Sequence, residues 1–149
     1  MSRARAATVA LDTGPWIAWI EQQGPFLPPA APVFREIEAG RRAAVTSVLT
    51  VLEVLTGAHR RHDDVLAQRY ADLFSHSSGV FVLDVDLEIA SRAAELRASY
   101  GLRTADAIHV ATALVAGAGL FVTTDRRLRR VKEIEVHVLK PVRAARRPL

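Results

Sequence analysis

Cysteine is absent from the 149-residue sequence, and so is any apolar run long enough to span a membrane. Without cysteine there is no disulfide, thiolate metal site or cysteine nucleophile, so any metal must bind oxygen or imidazole ligands. No apolar stretch approaches the roughly eighteen residues of a transmembrane helix. The first apolar run ends at Asp12, too early for a secretory signal. We therefore expect a cytoplasmic protein that makes no use of a membrane.

Positive charge is present in modest excess and is unevenly distributed. The formal net charge is +4 and the sequence pI is about 10.3. Arginines concentrate in "RRLRR" (126–130) and in "RAARR" (143–147), within a basic tail that begins at about residue 141. Such a stripe suits a polyanion such as nucleic acid, although a solvated face and a frayed tail explain it equally well. Half of the residues are hydrophobic, and the length predicts one domain over residues 1–149.

Short apolar runs alternate with helical patterns along almost the whole chain. This order predicts an α/β fold in which helices cover both faces of a mostly parallel sheet, giving three layers. The predicted strands are 7–12, 43–47, 80–85, 120–124 and 135–139.

Helix boundary signals lie between these strands. Pro15 fits the first turn of a helix, residues 24–32 with four prolines predict a stiff loop, and Pro32 is expected near the start of the next helix. Three polar residues are predicted to cap later helices: Ser47, Asp86 and Thr104.

Four carboxylates fall where the chain reaches the carboxyl edge of such a sheet, which is where open parallel sheets bind ligands. Asp12 ends the first strand, and Asp125 follows the strand 120–124. Asp106 lies in the first turn of a helix that leads into that same strand, so the start of the helix meets the same edge. Glu53 lies in the helix after the second strand, about 9 Å along its axis, and its longer side chain can reach back.

Four clustered carboxylates repel one another unless a cation neutralises them. Mg²⁺ and Mn²⁺ prefer oxygen ligands and promote phosphodiester hydrolysis. Each residue also has an ordinary explanation: a favourable charge at a helix start for Asp106, a cap for Asp125, an Asx-turn for Asp12. Glu53 is harder to explain in this way because it stands among aliphatic residues. The joint arrangement favours metal-dependent phosphoryl chemistry on nucleic acid.

The stretches "LDTGPWIAWI", "TSVLTVLEVLTG", "LRTADAIHVATAL" and "FVTTDRRL" resemble, in order, those of the PIN-domain family, and within it the VapC-like toxins of type II toxin–antitoxin systems. The resemblance covers essentially the whole chain. It implies a three-layer PIN-like fold and an Mg²⁺- or Mn²⁺-dependent endoribonuclease. By position, it implies that the metal and catalytic residues are Asp12, Asp106, Glu53 and Asp125.

The resemblance also implies supporting residues and partners. Thr13 and Thr123, rather than Thr124, resemble the hydroxyl residues of such sites. Some relatives carry a further acidic residue beyond the last aspartate. Here that stretch is "RRLRR", which lacks the acidic residue that a site with two metals would use, and Arg126 or Arg127 would instead bind the RNA backbone. The implied partners are an RNA substrate, a cognate antitoxin and a second copy of the chain in a homodimer.

Two further features allow two interpretations each. His109, three residues after Asp106, is either a structural histidine or a metal ligand or general base. Trp16 and Trp19, with their aliphatic neighbours, form either ordinary core or a groove that receives an antitoxin segment.

The leading hypothesis is in-line attack of water on phosphorus, which leaves a 3′-hydroxyl and a 5′-phosphate. The alternative from another class is a non-catalytic nucleic-acid- or partner-binding module that keeps the PIN fold, although all four acidic positions are filled. A haloacid dehalogenase-type phosphatase would need a second aspartate where Gly14 stands. A receiver domain would need an acidic pair before the first helix, and that pair is absent.

Overall fold

A computed structural model describes residues 7–143 of the chain. The first six and last six residues lie outside this range, so the predicted tail is described only as far as residue 143. The five strands are β1 (Thr8–Leu11), β2 (Ala43–Ser47), β3 (Val80–Leu83), β4 (Leu120–Thr123) and β5 (Glu135–Val138).

All five strands form one sheet in the order β3-β2-β1-β4-β5, and every pair is parallel. The strand at the centre is β1, where Val9 is in register with Ala44 of β2 and with Leu120 of β4. Because the strands are parallel, their carboxyl ends meet along a single edge of the sheet. The predicted α/β class is confirmed.

Six α-helices and one short 3₁₀ helix connect the strands. The 3₁₀ helix, Arg126–Arg130, follows β4. The α-helices are α1 (Thr13–Glu21), α2 (Leu27–Glu38), α3 (Val48–Arg60), α4 (Asp64–His76), α5 (Leu87–Tyr100) and α6 (Thr104–Val115). None of the helices in residues 7–143 combines the length and the apolar character needed to cross a bilayer.

The two faces of the sheet are covered by different helices, which makes the three predicted layers. Side chains of β1 alternate between the faces, as the pleat requires. Ala10 packs with apolar residues of α5 and α6, whereas Val9 and Leu11 pack with residues of α1 and α2. Helices α3 and α4 pack with α1 in a further cluster around the fully buried Tyr70.

The predicted proline-rich loop was wrong, because α2 begins at Leu27 and includes Pro32 in its interior. Two of the prolines, Pro28 and Pro29, fall in the first turn, where a missing N–H loses no intrahelical bond. Pro32 does remove such a bond. Burial of one helix face offsets this loss, and Phe34 on that face packs edge-on against Trp16 at 5.0 Å. Tertiary packing therefore outweighs the local signal of the prolines.

Of the predicted helix and strand ends, some are confirmed and others are wrong. Ser47 and Asp86 cap their helices as predicted, each accepting a hydrogen bond from a backbone N–H of the first turn. Thr104 does not cap α6. It is the first helical residue, and the N-cap is Arg103, whose side chain makes no capping bond. The third strand also ends at Leu83, two residues earlier than predicted.

Of the two tryptophans of α1, Trp16 belongs to the core. Trp16 is 1 % exposed and contacts Phe34 and Phe74, and Trp19 stacks on Phe34 at 5.2 Å. A buried Trp16 is not available to line a groove for a partner. Trp19 is partly buried, and Ile17 is 39% exposed.

Candidate active site

The structure places all four predicted carboxylates at the carboxyl edge of the sheet. Asp12 directly follows β1, and Asp125 follows β4 by two residues. Asp106 lies in the first turn of α6, and Glu53 lies on α3 with its carboxylate 3.1 Å from the hydroxyl of Thr13. Each of the four is partly buried, so they lie at the edge of the core and not on an open surface.

A buried threonine hydroxyl contacts both Asp12 and the backbone of Asp125. Thr123 is fully buried at the end of β4 and donates its hydroxyl hydrogen to Oδ2 of Asp12 at 2.8 Å. The same hydroxyl accepts the backbone N–H of Asp125 at 3.0 Å. The other carboxylate oxygen of Asp12 accepts the N–H of Thr13 at 2.8 Å. Asp12 is therefore held in one orientation by two neighbouring segments.

Glu53 and His109 form the second part of the site. Nε2 of His109 lies 2.7 Å from Oε1 of Glu53 and 3.8 Å from Oδ1 of Asp12. Burial alone would lower the pKa of His109, but its hydrogen bond to Glu53 and the nearby charges of Asp12, Glu53 and Asp106 raise that pKa above its usual range. The bond to His109 outweighs burial at Glu53 and lowers the pKa of the glutamate.

A chain of threonine hydroxyls below Glu53 was not anticipated from the sequence. Thr46 and Thr50 are buried, and their hydroxyl oxygens lie 3.0 Å apart. Thr50 in turn lies 3.1 Å from the hydroxyl of Thr13, and Thr46 donates to the carbonyl of Leu11 at 3.0 Å. These contacts tie α3 to the end of β1. Thr50 stands three residues before Glu53, so helical spacing could have identified it.

Asp125 and Arg127 form a tight local pair. The guanidinium of Arg127 contacts both carboxylate oxygens of Asp125, with Nη2 2.8 Å from Oδ2 and Nε 3.0 Å from Oδ1. Its backbone N–H donates to Oδ1 as well, so Asp125 also caps the 3₁₀ helix. The contact to Arg127 lowers the pKa of Asp125. The expected capping role of Asp125 is thus present beside its place in the acidic cluster.

Asp106 differs from the other three carboxylates. Within residues 7–143 it makes no hydrogen bond or ion pair, and it is half-buried. Burial, followed by the like charges of Asp12 and Asp125, raises its pKa. A divalent cation would relieve this repulsion, and the available donors are carboxylate and hydroxyl oxygens, which Mg²⁺ and Mn²⁺ prefer. The residues therefore fit such an ion, Asp106 and Asp12 best.

The side chains as they stand do not complete a coordination sphere. In the described part of the chain, no three histidine, aspartate or glutamate side chains are arranged so that they could hold a metal ion without moving. In this arrangement Glu53 is hydrogen-bonded to His109, and Asp125 is paired with Arg127. Metal binding at all four carboxylates would require these two contacts to open.

Gly14 brings the start of α1 against the strand end. A Cβ at this position would lie 2.5 Å from the hydroxyl oxygen of Thr124. Only glycine lets α1 begin this close to the residues that follow β4. The close approach keeps Asp12 and Thr13 beside Thr123 and Asp125.

Comparison with known proteins identifies the family. A family model of the PIN domain matches residues 9–134. The chain belongs to the PIN-domain family. The matched segment contains all four carboxylates of the site, and no curated protein matches the sequence.

Solved structures share the PIN fold at low sequence identity. A chain of the VapBC2 complex from Rickettsia felis, bound to promoter DNA, is 15% identical with a TM-score of 0.71, covering 89% of this chain and 99% of that one. A chain of a toxin–antitoxin complex from Klebsiella pneumoniae is 23% identical with a TM-score of 0.67, and the match covers 90% of this chain and 99% of that one. The VapC20 toxin of Mycobacterium tuberculosis, which cleaves the sarcin–ricin loop, is 19% identical with a TM-score of 0.66. That match covers 85% of this chain and 98% of the toxin chain. These likenesses show that the fold is that of VapC toxins.

Proposed function

We propose that this PIN domain is a metal-dependent endoribonuclease and the toxin of a type II toxin–antitoxin pair. The observation that carries the proposal is the unpartnered Asp106 carboxylate beside Asp12 and Asp125 at the carboxyl edge of the sheet. A half-buried carboxylate next to like charges is costly to keep, and clusters of this kind occur where a function requires them. The toxin structures that share the fold support the assignment.

The residues of the site would have different roles in metal binding and hydrolysis. Asp12 and Asp106 would hold the ion, with Asp12 oriented by the hydroxyl of Thr123. Glu53, held by His109 and Thr13, would act through water and not as a direct ligand in this arrangement. When bound, Mg²⁺ or Mn²⁺ supplies positive charge for phosphate oxygens and makes water more acidic. The products would be a 3′-hydroxyl and a 5′-phosphate.

Exposed arginines next to the site would attract the RNA backbone. Arg126, Arg129 and Arg130 lie on the 3₁₀ helix after Asp125, and the charge of Arg103 acts on Asp125. Arg127, the other candidate for RNA binding, is engaged by Asp125 in the absence of RNA. Cationic side chains near a phosphodiester site raise affinity for any sequence. They would therefore bind RNA without selecting which RNA is cut.

The proposed partners follow from the proteins that share the fold. Several of these are toxin–antitoxin complexes, some bound to DNA. By analogy, a cognate antitoxin would cover the site of this chain until it is released, and the toxin would form a homodimer. Its action would take place in the cytoplasm, where its RNA substrate is found. The antitoxin would be encoded by a small adjacent reading frame with a DNA-binding N-terminal segment.

The test is cleavage of a mixed RNA pool by the purified protein without a partner, in Mg²⁺ or Mn²⁺. Asp12→Asn and an excess of EDTA should each abolish cleavage. The matched control is Asp84→Asn, which changes an exposed aspartate on the loop after β3 and should retain activity. RNA binding without cleavage, with metal present and the fold intact, would favour the non-catalytic binding module. Cleavage that survives Asp12→Asn would point to a contaminating nuclease.

A further inference from the structure

The contact between Arg127 and Asp125 occupies one half of the acidic cluster. Both oxygens of Asp125 are taken, Oδ1 by Nε at 3.0 Å and by the backbone N–H of Arg127 at 2.9 Å, and Oδ2 by Nη2 at 2.8 Å. Two-point contact of this kind is a strong form of the arginine–carboxylate pair. The charge of Arg127 is also felt at Asp106. A cation already resides at this end of the site.

The other half of the cluster has no such occupant. The carboxylate of Asp106 has no hydrogen-bond or ion-pair partner in residues 7–143, and the contacts to the carboxylate of Asp12 come from a threonine hydroxyl and a backbone N–H. Nε2 of His109 lies 3.8 Å from Asp12, and that ring lies closer to Glu53. Two carboxylates therefore remain for a divalent ion.

We infer that the guanidinium of Arg127 takes the position that a second divalent ion would need on Asp125. The site then binds a single ion, held by Asp12 and Asp106. A second ion would have to displace both guanidinium contacts, and it would also lie close to the first ion and to the displaced positive charge. These costs disfavour its binding. The inference rests on the proposed function for the identity of the ion.

Arg127 and its neighbour Arg126 make a matched pair of test positions. Both are exposed arginines on the same short 3₁₀ helix, but the side chain of Arg126 makes no hydrogen bond or ion pair with a described residue. Removing either charge changes the net charge of the protein equally. Only removal of Arg127 frees the oxygens of Asp125. A difference between the two variants therefore reports this contact and not general electrostatics.

The experiment is titration with Mn²⁺, read by calorimetry for the number of ions and by electron paramagnetic resonance for coupling between neighbouring ions. We expect one ion for the wild type and for Arg126→Ala. We expect two ions for Arg127→Ala and for Arg127→Gln, the second of which keeps much of the side-chain length. In both variants the Mn²⁺ signals should be coupled, and the affinity for the second ion should rise at least tenfold. Thermal melting of each variant checks that the fold is retained.

Each other outcome overturns the inference. Two ions in the wild type, or a single ion that persists in both Arg127 variants, would show that Arg127 does not exclude a second metal. A wild type that binds no Mn²⁺ would contradict it as well. RNA cleavage by the same wild-type preparation is scored separately. Cleavage with two bound ions leaves the nuclease proposal standing, whereas one bound ion without any cleavage leaves only the inference standing.

Discussion

Replacing Asp106 by asparagine should make the metal-free protein more stable. The carboxylate is half-buried and unpartnered within residues 7–143, and burial together with the charges of Asp12 and Asp125 raises its pKa. Asparagine has nearly the same shape and carries no charge. As an upper bound, two like charges about 4 Å apart repel by about 4 kcal/mol at an effective dielectric constant of 20. Solvent screening at a half-exposed group reduces this to about 1 kcal/mol.

A purely structural role for Asp106 predicts the opposite sign. A carboxylate in the first turn of α6 interacts favourably with the helix dipole by about 0.3 to 1 kcal/mol, so its removal would lower stability. The two accounts therefore differ in the direction of the change. For a domain of this size, a gain of about 1 kcal/mol raises the melting temperature by roughly 2 to 4 °C.

The assay is thermal or urea unfolding in EDTA, with Asp84→Asn as the control for loss of one exposed charge. Because the folded state raises the pKa of Asp106, its ionisation costs stability as the pH rises through that pKa. The advantage of Asp106→Asn should thus be full at pH 7 and should shrink on acidification toward the usual range of a carboxyl group. An Asp106→Asn variant that is less stable than the wild type in EDTA would refute the reasoning.

Metal should reverse the order of stability. A ligand that binds only the folded state stabilises it by about 2.7 kcal/mol at a concentration one hundred times its dissociation constant. Saturating Mn²⁺ should therefore raise the melting temperature of the wild type and leave Asp106→Asn nearly unchanged. Equal stabilisation of both proteins would place the ion elsewhere.

Three other substitutions test separate parts of the account. Gly14→Ala forces its new Cβ to within 2.5 Å of the Thr124 hydroxyl oxygen and should lower the unfolding free energy by about 1 to 3 kcal/mol. At Gly57 an added Cβ would meet no atom within 4 Å beyond its chain neighbours and its own helix backbone, so Gly57→Ala should instead stabilise α3 by about 0.5 to 1 kcal/mol; equal effects of the two changes in a urea titration would contradict this. Burial alone would raise the pKa of Glu21, but its hydrogen bonds, that from Arg61 foremost, lower it, so its contribution is lost as the pH falls through that lowered pKa. Glu21→Gln should cost about 1 kcal/mol near pH 7 and nothing once the pH is well below that lowered pKa, and a cost that is independent of pH in unfolding curves would show that charge is not involved.

The strands of the sheet could be predicted from the sequence because the residue patterns that mark a strand are local. Short apolar runs bounded by polar residues correspond to all five strands, and parallel pairing follows from their alternation with helices. The start of α2 was missed because four prolines give a strong local loop signal. Burial of Phe34 against Trp16 is a long-range contact that no local pattern contains.

Local sequence signals were enough to predict that the candidate site residues lie close together. They were not enough to predict which side chains contact one another. A strand end and a helix start have fixed places at a sheet edge, so Asp12, Asp106 and Asp125 were expected together. The pairing of His109 with Glu53 depends on how α3 and α6 pack over the sheet. The bidentate contact of Arg127 depends on the 3₁₀ turn after β4. Both are side-chain geometries that the spacing of residues leaves open.

The most direct test of the central claim is anomalous diffraction from crystals of the wild-type protein grown with Mn²⁺. The account predicts one strong peak at the carboxyl edge of the sheet, coordinated by carboxylate oxygens of Asp12 and Asp106, with Arg127 still on Asp125. A peak bound by neither aspartate, or crystals that take up no Mn²⁺ at millimolar concentration, would contradict the claim that these carboxylates form a metal site.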